Sequence, residues 1–474
     1  MLLSHLGSRR TVAFILLLAT VGTSTGQVLG NPWLSEGQVS YPTQQPGYYP
    51  PAPPVQSQPP IQNLPPGAKT RVLPDGRIAI ITPFTEKQKR EIRQREAERL
   101  RIRATRTREL AAQGKKDSVF PRLTGEFEKQ KAIAISICDW QSHHFDVLFE
   151  LIEKARGRLG ILILYNETNR SDEQSQFVQV IRRLSRTGKE YPYLRFYETN
   201  LDTIWLRDFG PRFAQARDGK AIVANFFYDI NRPLDDRFPE AWANLNRELH
   251  NRVPWSLQGG NLLANGRGLA ITTTRLYEGN RIELPGKSFT QTEAYVKTQF
   301  MKACNIKKLV VLKPLENEST RHVDMFATFL APNIALVAKL DPRADAQNAS
   351  ILDDNAEQLS KVRVADRPLS VERIWIPPPR HNHWSSYANI ILTDRVVMIP
   401  TYKSDPPDYV RQAVATYRRL LPKHHVTTID MTSMEKLGGS LHCLSCPIPS
   451  FARLPAGMQT FADAVKMIER RQVK

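Results

Sequence analysis

The feature that most limits what this chain can fold into is a spaced recurrence of a polar residue followed by a short apolar hairpin. Asp208 precedes a hairpin turning at Arg217-Asp218-Gly219, and Asn261 precedes LLANGRGLAIT, turning at Asn265-Gly266. Asp324 precedes MFATFLAPNIALVA, turning near Pro332-Asn333, and Asn389 precedes IILTDRVVMIP, turning at Thr393-Asp394. Successive markers stand 53, 63 and 65 residues apart, and 54 more reach Cys443, at the head of a further short apolar segment. Stretches with helical spacing lie in between. Residues 145–156 carry Val147, Leu148, Leu151 and Ile152 on one face, and 409–421 carry Val410, Ala413, Val414, Tyr417 and Leu421. Strands alternating with helices predict an α/β fold. Repeats of one period stack so that equivalent positions meet around an axis. That would gather Asp208, Asn261, Asp324, Asn389 and Cys443 at one mouth. The plainer alternative is that polar residues simply mark strand starts. Two carboxylates and a cysteine among the five favour a site.

At 474 residues the chain has room for two to three domains. Arg9 and Arg10 precede the apolar run 12–21 and the small residues Gly22-Thr23-Ser24-Thr25-Gly26, the pattern of a signal peptide over 1–26. The run is short for a bilayer span. Export is expected, to a periplasmic, extracellular or envelope-associated location. Residues 27–70 are rich in Pro, Gln and Tyr and predict an extended tether. Residues 71–118 predict a short hairpin around Asp75-Gly76 and then a charged helix. Positions 85–116 hold twelve Lys or Arg, five Glu and no Pro. That helix reads as a solvated face, or alternatively as a basic spacer touching an anionic envelope surface. Composition is globular over 119–474. The formal net charge of +19 admits nucleic acid, an anionic surface or simple solubility, and export argues against nucleic acid. Four cysteines are too few for a disulfide scaffold in a chain this long, so a reactive thiol is open.

The residue types at the markers suit one chemistry. A guanidinium is planar, cationic and rich in N–H donors, and two carboxylates grip it through charge-assisted bonds. Asp208 and Asp324 are the candidates. Attack on its central carbon needs a thiolate, which Cys443 can supply beside a bound cation and an imidazole. His322 can protonate departing ammonia and then deprotonate water. Two apart on an expected strand, His322 and Asp324 face the same side. Trp205 reads either as a cation–π wall or as a core residue. Cys138 and Cys304 read as core.

These segments resemble a known family. Trp205-Leu206-Arg207-Asp208-Phe209-Gly210-Pro211 looks like the WxRDxGP segment of the agmatine deiminase and Porphyromonas-type peptidylarginine deiminase family. Gly259-Gly260-Asn261 resembles its GGN segment, His322-Val323-Asp324 its HxD segment, and Ser386-Tyr387-Ala388-Asn389 its SYxN segment. Gly438-Gly439-Ser440-Leu441-His442-Cys443 is similar to the glycine-rich loop that ends in its nucleophile, and Gly125-Glu126-Phe127-Glu128 resembles its opening acidic–aromatic pair. The resemblance spans about 123–449. It implies the pentein fold, a five-bladed pseudo-symmetric α/β propeller with a central site. It also implies hydrolysis without metal or cofactor through a covalent amidino-thioether on Cys443. In it Asp208 and Asp324 bind the guanidinium, His322 does acid–base work, and Asn389 lines the site; the repeat adds Asn261, and the cation–π reading adds Trp205, as further expected substrate contacts. The substrate is a small-molecule or peptide guanidinium: agmatine, as in polyamine (putrescine) synthesis, arginine or peptidyl-arginine.

Two departures bear on substrate. Gln258 stands where agmatine deiminases usually carry Glu, and Arg321 replaces the usual Gly; both lean toward an anionic or neutral distal end. Cys446 raises the option of a strained Cys443–Cys446 disulfide. Three rivals remain. Cys443, Cys446 and His442, or His381 and His383, could ligate zinc, but no second ligand pair follows. A cysteine protease or amidase would want an oxyanion hole, not two carboxylates. A non-catalytic protein binding guanidinium or arginine peptides at the envelope is the third.

Overall fold

The computed structural model describes residues 122–472, apart from 139, 167–174, 230, 281–287 and 381–382, and the strands Leu18–Thr20, Lys69–Val72 and Ile78–Ile81. The chain divides into two compact units, Met1–Ile102 and Arg103–Lys474. In the first, Ile78–Ile81 pairs antiparallel with Lys69–Val72 on one side and Leu18–Thr20 on the other. The remainder of the signal segment, the Pro-rich tether and the charged helix of 85–116 lie outside the described residues, as do His381 and its neighbour.

The second unit repeats one arrangement five times. Each module is an antiparallel strand pair, joined as a hairpin in four of the five, whose second strand is followed by a helix and then by a third strand parallel to the second. Arg212–Gln215 and Ala221–Phe227 form the first hairpin, Pro233–Leu245 the helix, and Leu249–Ser256 the third strand. The next three modules are built on Leu263–Ala264 with Leu269–Thr273, Ala327–Ala331 with Ile334–Lys339, and Ile391–Leu392 with Val396–Thr401. Their third strands are Lys308–Leu312, Ser370–Trp375 and Val396's parallel partner strand His425–Asp430. All four hairpins turn where the sequence places Gly, Asn, Asp or Pro. At the second, Asn265 Oδ1 accepts from the amides of Arg267 and Leu269, and Gly266 and Gly268 take the positive φ the reversal needs.

The fifth module joins the two ends of the unit. Ser445–Pro449, just after Cys443, pairs antiparallel with Gln130–Ser136, which runs parallel to Gly160–Tyr165 and leads on to Leu194–Glu198. Residues more than 300 positions apart thus share one sheet. Gly160–Tyr165 (GILILY) is buried on both faces, as a strand flanked on each side must be.

Helices pack outside the sheets with the periodicity expected. Phe145–Ala155 buries Phe145, Val147, Leu148, Leu151, Ile152 and Ala155, and Pro407–Leu420 buries Ala413 and Tyr417. Caps set their starts: Ser175 accepts from the Val178 amide, Asp345 from that of Asn348, and Ser288 with Gln291 forms a reciprocal capping box. Asn355, on a helix, binds both backbone groups of Lys313: Lys313 N donates to its Oδ1 at 3.0 Å and its Nδ2 donates to Lys313 O at 2.8 Å. Among the described residues no helix is long and apolar enough to cross a membrane.

Candidate functional site

Each first strand is preceded by a tight helical turn or bend, and these turns carry the candidate side chains. Asp208 lies in the single turn Leu206–Phe209, Asn261 closes the 3-10 turn Gly259–Asn261, and Asp324 sits in the 3-10 turn Val323–Met325. The expected strand through His322 and Asp324 is therefore absent. His322 is extended, at the N-cap of that turn, and it is the turn that keeps the two side chains together. Asn389 and Cys443 lie in turns before Ile391–Leu392 and Ser445–Pro449.

Gly260 marks where these groups meet. A methyl group on its Cα would lie 2.7 Å from Asp324 Oδ2, 2.9 Å from His322 Nδ1 and 3.0 Å from Asp208 Oδ1. The amide of Gly260 donates to Asp208 Oδ1 at 3.1 Å, and His322 Nδ1 stands 3.6 Å from that oxygen. Cys443 reaches the cluster through Asn389, whose Nδ2 lies 3.5 Å from Sγ and donates to the Asp324 carbonyl at 3.2 Å. Asn389 Oδ1 accepts from the His442 amide at 2.9 Å, which pins the loop that carries Cys443. His322 Nδ1 and Asp324 Oδ1 are buried without a hydrogen-bond partner among the described residues. Buried polar atoms are rarely left so, and these two suit a ligand rich in N–H donors.

Two of the residues expected to contact substrate have other roles in the free protein. Asn261 Oδ1 accepts from Thr273 N, Thr273 Oγ1 and Val323 N, so that oxygen joins the second module to the third and is already committed. Trp205 is buried, and a methyl on Gly439 would meet its ring at 2.1 Å, so the glycine-rich loop lies flat against the indole. All four cysteines are free and buried. Cys446 donates to the Pro211 carbonyl at 3.5 Å, whereas the Cys443 sulfur faces Asn389, so the two do not form the disulfide considered from sequence.

The protonation states follow from burial. Burial first, then the charges of Asp324 and Asp208, holds the Cys443 thiol well above its ordinary pKa, against the Ser440 amide and Asn389. Burial drives His322 down to about 3; Asp324 opposes this, while Arg275 and His442 add to it. In the resting site Cys443 is thus a thiol and His322 a neutral imidazole. His322 Nε2 lies 2.6 Å from Gln258 Oε1, an oxygen that also accepts from Arg275 Nη2 at 2.9 Å. Because that oxygen is an acceptor, Nε2 carries the ring proton and Nδ1 presents a lone pair.

Sequence reasoning missed a buried ionic chain behind Asp324. Arg207 Nη1 lies 2.7 Å from Glu126 Oε1, Glu126 Oε2 is 2.8 Å from His442 Nε2, and His442 Nδ1 is 2.7 Å from Asp324 Oδ2. Glu126 is held ionised: burial would raise its pKa, but Arg207 and His442 outweigh that and lower it. His442 is shifted upward: burial and Arg207 push it down, and Glu126 and Asp324 prevail. The only sequence signals were the acidic pair at 126–128 and a histidine next to Cys443. Among the described residues no group of three or more His, Cys, Asp or Glu side chains is arranged to hold a metal ion.

Comparison with known proteins identifies the family. The profile of the family described as Porphyromonas-type peptidyl-arginine deiminase matches residues 122–449. The chain is 23% identical over 303 residues to the agmatine deiminase of Pseudomonas fluorescens (strain SBW25), covering 56% of this chain and 80% of that one. In fold it resembles the C. jejuni agmatine deiminase (TM-score 0.56, 19% identity, 70% of this chain and 97% of that one). The agmatine deiminase of Enterococcus faecalis is similar to the same degree (TM-score 0.56, 18% identity, 70% and 97%). The mixed α/β architecture thus matches that of solved deiminases. With the profile spanning more than half of its length, the chain belongs to the Porphyromonas-type peptidyl-arginine deiminase family and is a hydrolase that modifies guanidino groups.

Proposed function

We propose that the protein deiminates a guanidinium compound through a covalent amidino-thioether on Cys443, in a site at the hub of a five-bladed propeller formed by the five modules. The observation that carries this reading is the meeting of Asp208, Asp324 and His322 around Gly260, with Cys443 joined to them through Asn389. A guanidinium between the two carboxylates cancels the charges that keep the thiol protonated. The thiol proton passes to Nδ1 of His322, and Sγ attacks the guanidinium carbon. The imidazolium returns the proton to the departing nitrogen, which leaves as ammonia. His322 then deprotonates a water that attacks the same carbon, and expulsion of the thiolate leaves a ureido product.

For the distal end of the substrate we favour a carboxylate or a peptide over the ammonium of agmatine. Gln258 is neutral, it is bonded to Arg275, and Arg321 stands nearby, tied to Glu278 at 2.7 Å. A second ammonium would meet the Arg275 guanidinium there, and the neutral amide of Gln258 offers it no carboxylate. Trp205 would contribute a wall beside the planar cation. Export fits peptide substrates, and it rests on the pattern of Arg9, Arg10 and the apolar run after them. Contact of the basic 85–116 segment with an anionic envelope surface belongs to the same reading.

The deciding experiment is ammonia release from agmatine, free arginine and an arginine peptide, with the unmutated protein and with Cys443→Ala. Release abolished by the substitution, with either arginine compound preferred, supports the proposal. Tight binding of all three without turnover by the unmutated protein supports a non-catalytic guanidinium-binding protein instead. Cell fractionation with N-terminal sequencing of the mature chain tests export.

A further inference from the structure

Behind the carboxylate of Asp324 lies a histidine that the proposed reaction leaves unused. The ring of His442 is buried between two acids, with Nδ1 2.7 Å from Asp324 Oδ2 and Nε2 2.8 Å from Glu126 Oε2. A carboxylate only accepts hydrogen bonds, so two carboxylates at these distances require a proton on each ring nitrogen. The ring is then an imidazolium donating in both directions. Beyond Glu126, Arg207 supplies the next positive charge at 2.7 Å, and Arg212 a further one at 4.0 Å. Arg207 is fixed in turn by the His442 carbonyl and by Ser445 Oγ. Charges therefore alternate along Arg207, Glu126, His442 and Asp324, across segments 316 and 118 residues apart in sequence.

We propose that His442, backed by Glu126, is a positioning residue that locks the rotation of Asp324 and so sets its grip on the substrate cation, without itself touching substrate. The inference rests on the guanidinium-binding role of Asp324 set out above. With Oδ2 committed to the imidazolium, only Oδ1 of Asp324 is left, buried and without a partner among the described residues. A carboxylate free to turn about its last bond would lose that aim and with it part of its grip on the cation. Charge-assisted bonds in a buried site are the strong ones, and removing one partner leaves the other charge exposed to a low dielectric. The charged and titratable groups around the ring are Glu126 and Asp324 in contact, Arg207 and Arg212 behind Glu126, and His322, Cys443 and Asp208 on the site side. His322 is neutral and Cys443 a thiol in the resting state, so the two acids set the charge of the ring.

Asp324 holds the cation in the ground state and in the transition state alike, so its misplacement is read mainly in KM. In the full-length protein, His442→Gln and Glu126→Gln are expected to raise KM at least tenfold while lowering kcat by a smaller factor. The KM of the unmutated protein should stay level with rising pH until the imidazolium loses its proton. Glu126→Gln should move that rise at least one pH unit lower. Nitrogen-15 spectra at neutral pH should show both ring nitrogens of His442 protonated, assigned by their loss in His442→Gln. The proposal is overturned if only one ring nitrogen carries a proton, or if the folded variants lose melting temperature with KM unmoved. Should His442→Gln not fold, Glu126→Gln carries the kinetic test and specific labelling the assignment. If the unmutated protein releases no ammonia, the deiminase reading fails; the spectra and calorimetric binding of a guanidinium compound then decide the role of His442 by the same criteria.

Discussion

Nε2 of His322 stands 2.6 Å from the side-chain oxygen of Gln258, and that contact decides which face of the imidazole can act as a base. With the proton held at Nε2, Nδ1 presents its lone pair beside Gly260. Gln258→Glu would place a formal charge at the same spot. An opposite charge this close moves a pKa by roughly one to three units. Here it favours the imidazolium, so the pKa of His322 rises from its depressed value of about 3. The acid limb of the kcat/KM–pH profile should then move at least one unit toward neutral. A limb that stays in place would separate His322 from the acid–base step.

Gly260 offers a sharper probe. A methyl group there would lie 3.0 Å or less from Asp324 Oδ2, His322 Nδ1 and Asp208 Oδ1. At least two of the three must give way, although the backbone itself accepts alanine. Displacements near 1 Å at a reacting centre cost on the order of a hundredfold in rate. Gly260→Ala is therefore expected to lower kcat/KM by about that factor or more, with the circular dichroism spectrum unchanged. Activity within a few-fold of the unmutated protein would place the chemistry elsewhere.

The fold was legible where signals are local. Turn residues at Asn265-Gly266 and Pro332-Asn333, and apolar spacing in Phe145–Ala155, act over a few positions and survive into the structure. The marker residues were legible because a repeat multiplies a weak cue. Their local conformation was not: period-two reasoning takes His322 and Asp324 for a strand, while the chain makes a 3-10 turn there. Glu126 and Arg207 could not be paired from sequence at all. Their contact depends on the strand Ser445–Pro449 closing against Gln130–Ser136, an event with no periodic trace. For Asn261 the sequence shows only a polar residue at the expected mouth; the positions of Thr273 and Val323 show that its side-chain oxygen is taken in the free protein.

The cysteines give a prediction that separates chemistry from redox control. Cys446 donates to the Pro211 carbonyl beside Gly210, where a methyl would come within 3.1 Å of its sulfur. Burial pushes its pKa up to about 11, so it is a poor nucleophile at neutral pH. Cys446→Ser should keep activity within a few-fold, and added reductant should change nothing. Thiol titration in denaturant should return four thiols per chain, the full cysteine content. A count of two, restored to four by reductant, would establish the disulfide that the structure lacks.

Stability should respond to pH in opposite senses at two buried histidines, His322 and His442. His322 has its pKa depressed from 6.5 to about 3, so the unfolded chain takes up its proton first as pH falls. That uptake favours unfolding, and stability from this residue is lost between about pH 6.5 and 3. His442 is raised, so its contribution is complete below 6.5 and is lost as pH climbs through its folded value. His322→Gln should therefore flatten the acid side of a melting-temperature–pH curve, with a difference of order a few kcal/mol at most by pH 4. His442→Gln should leave the acid slope due to His322 in place and remove part of the alkaline one. Parallel curves for His322→Gln and the unmutated protein from pH 7 to 4 would show that His322 is charged, or exposed, in the native state.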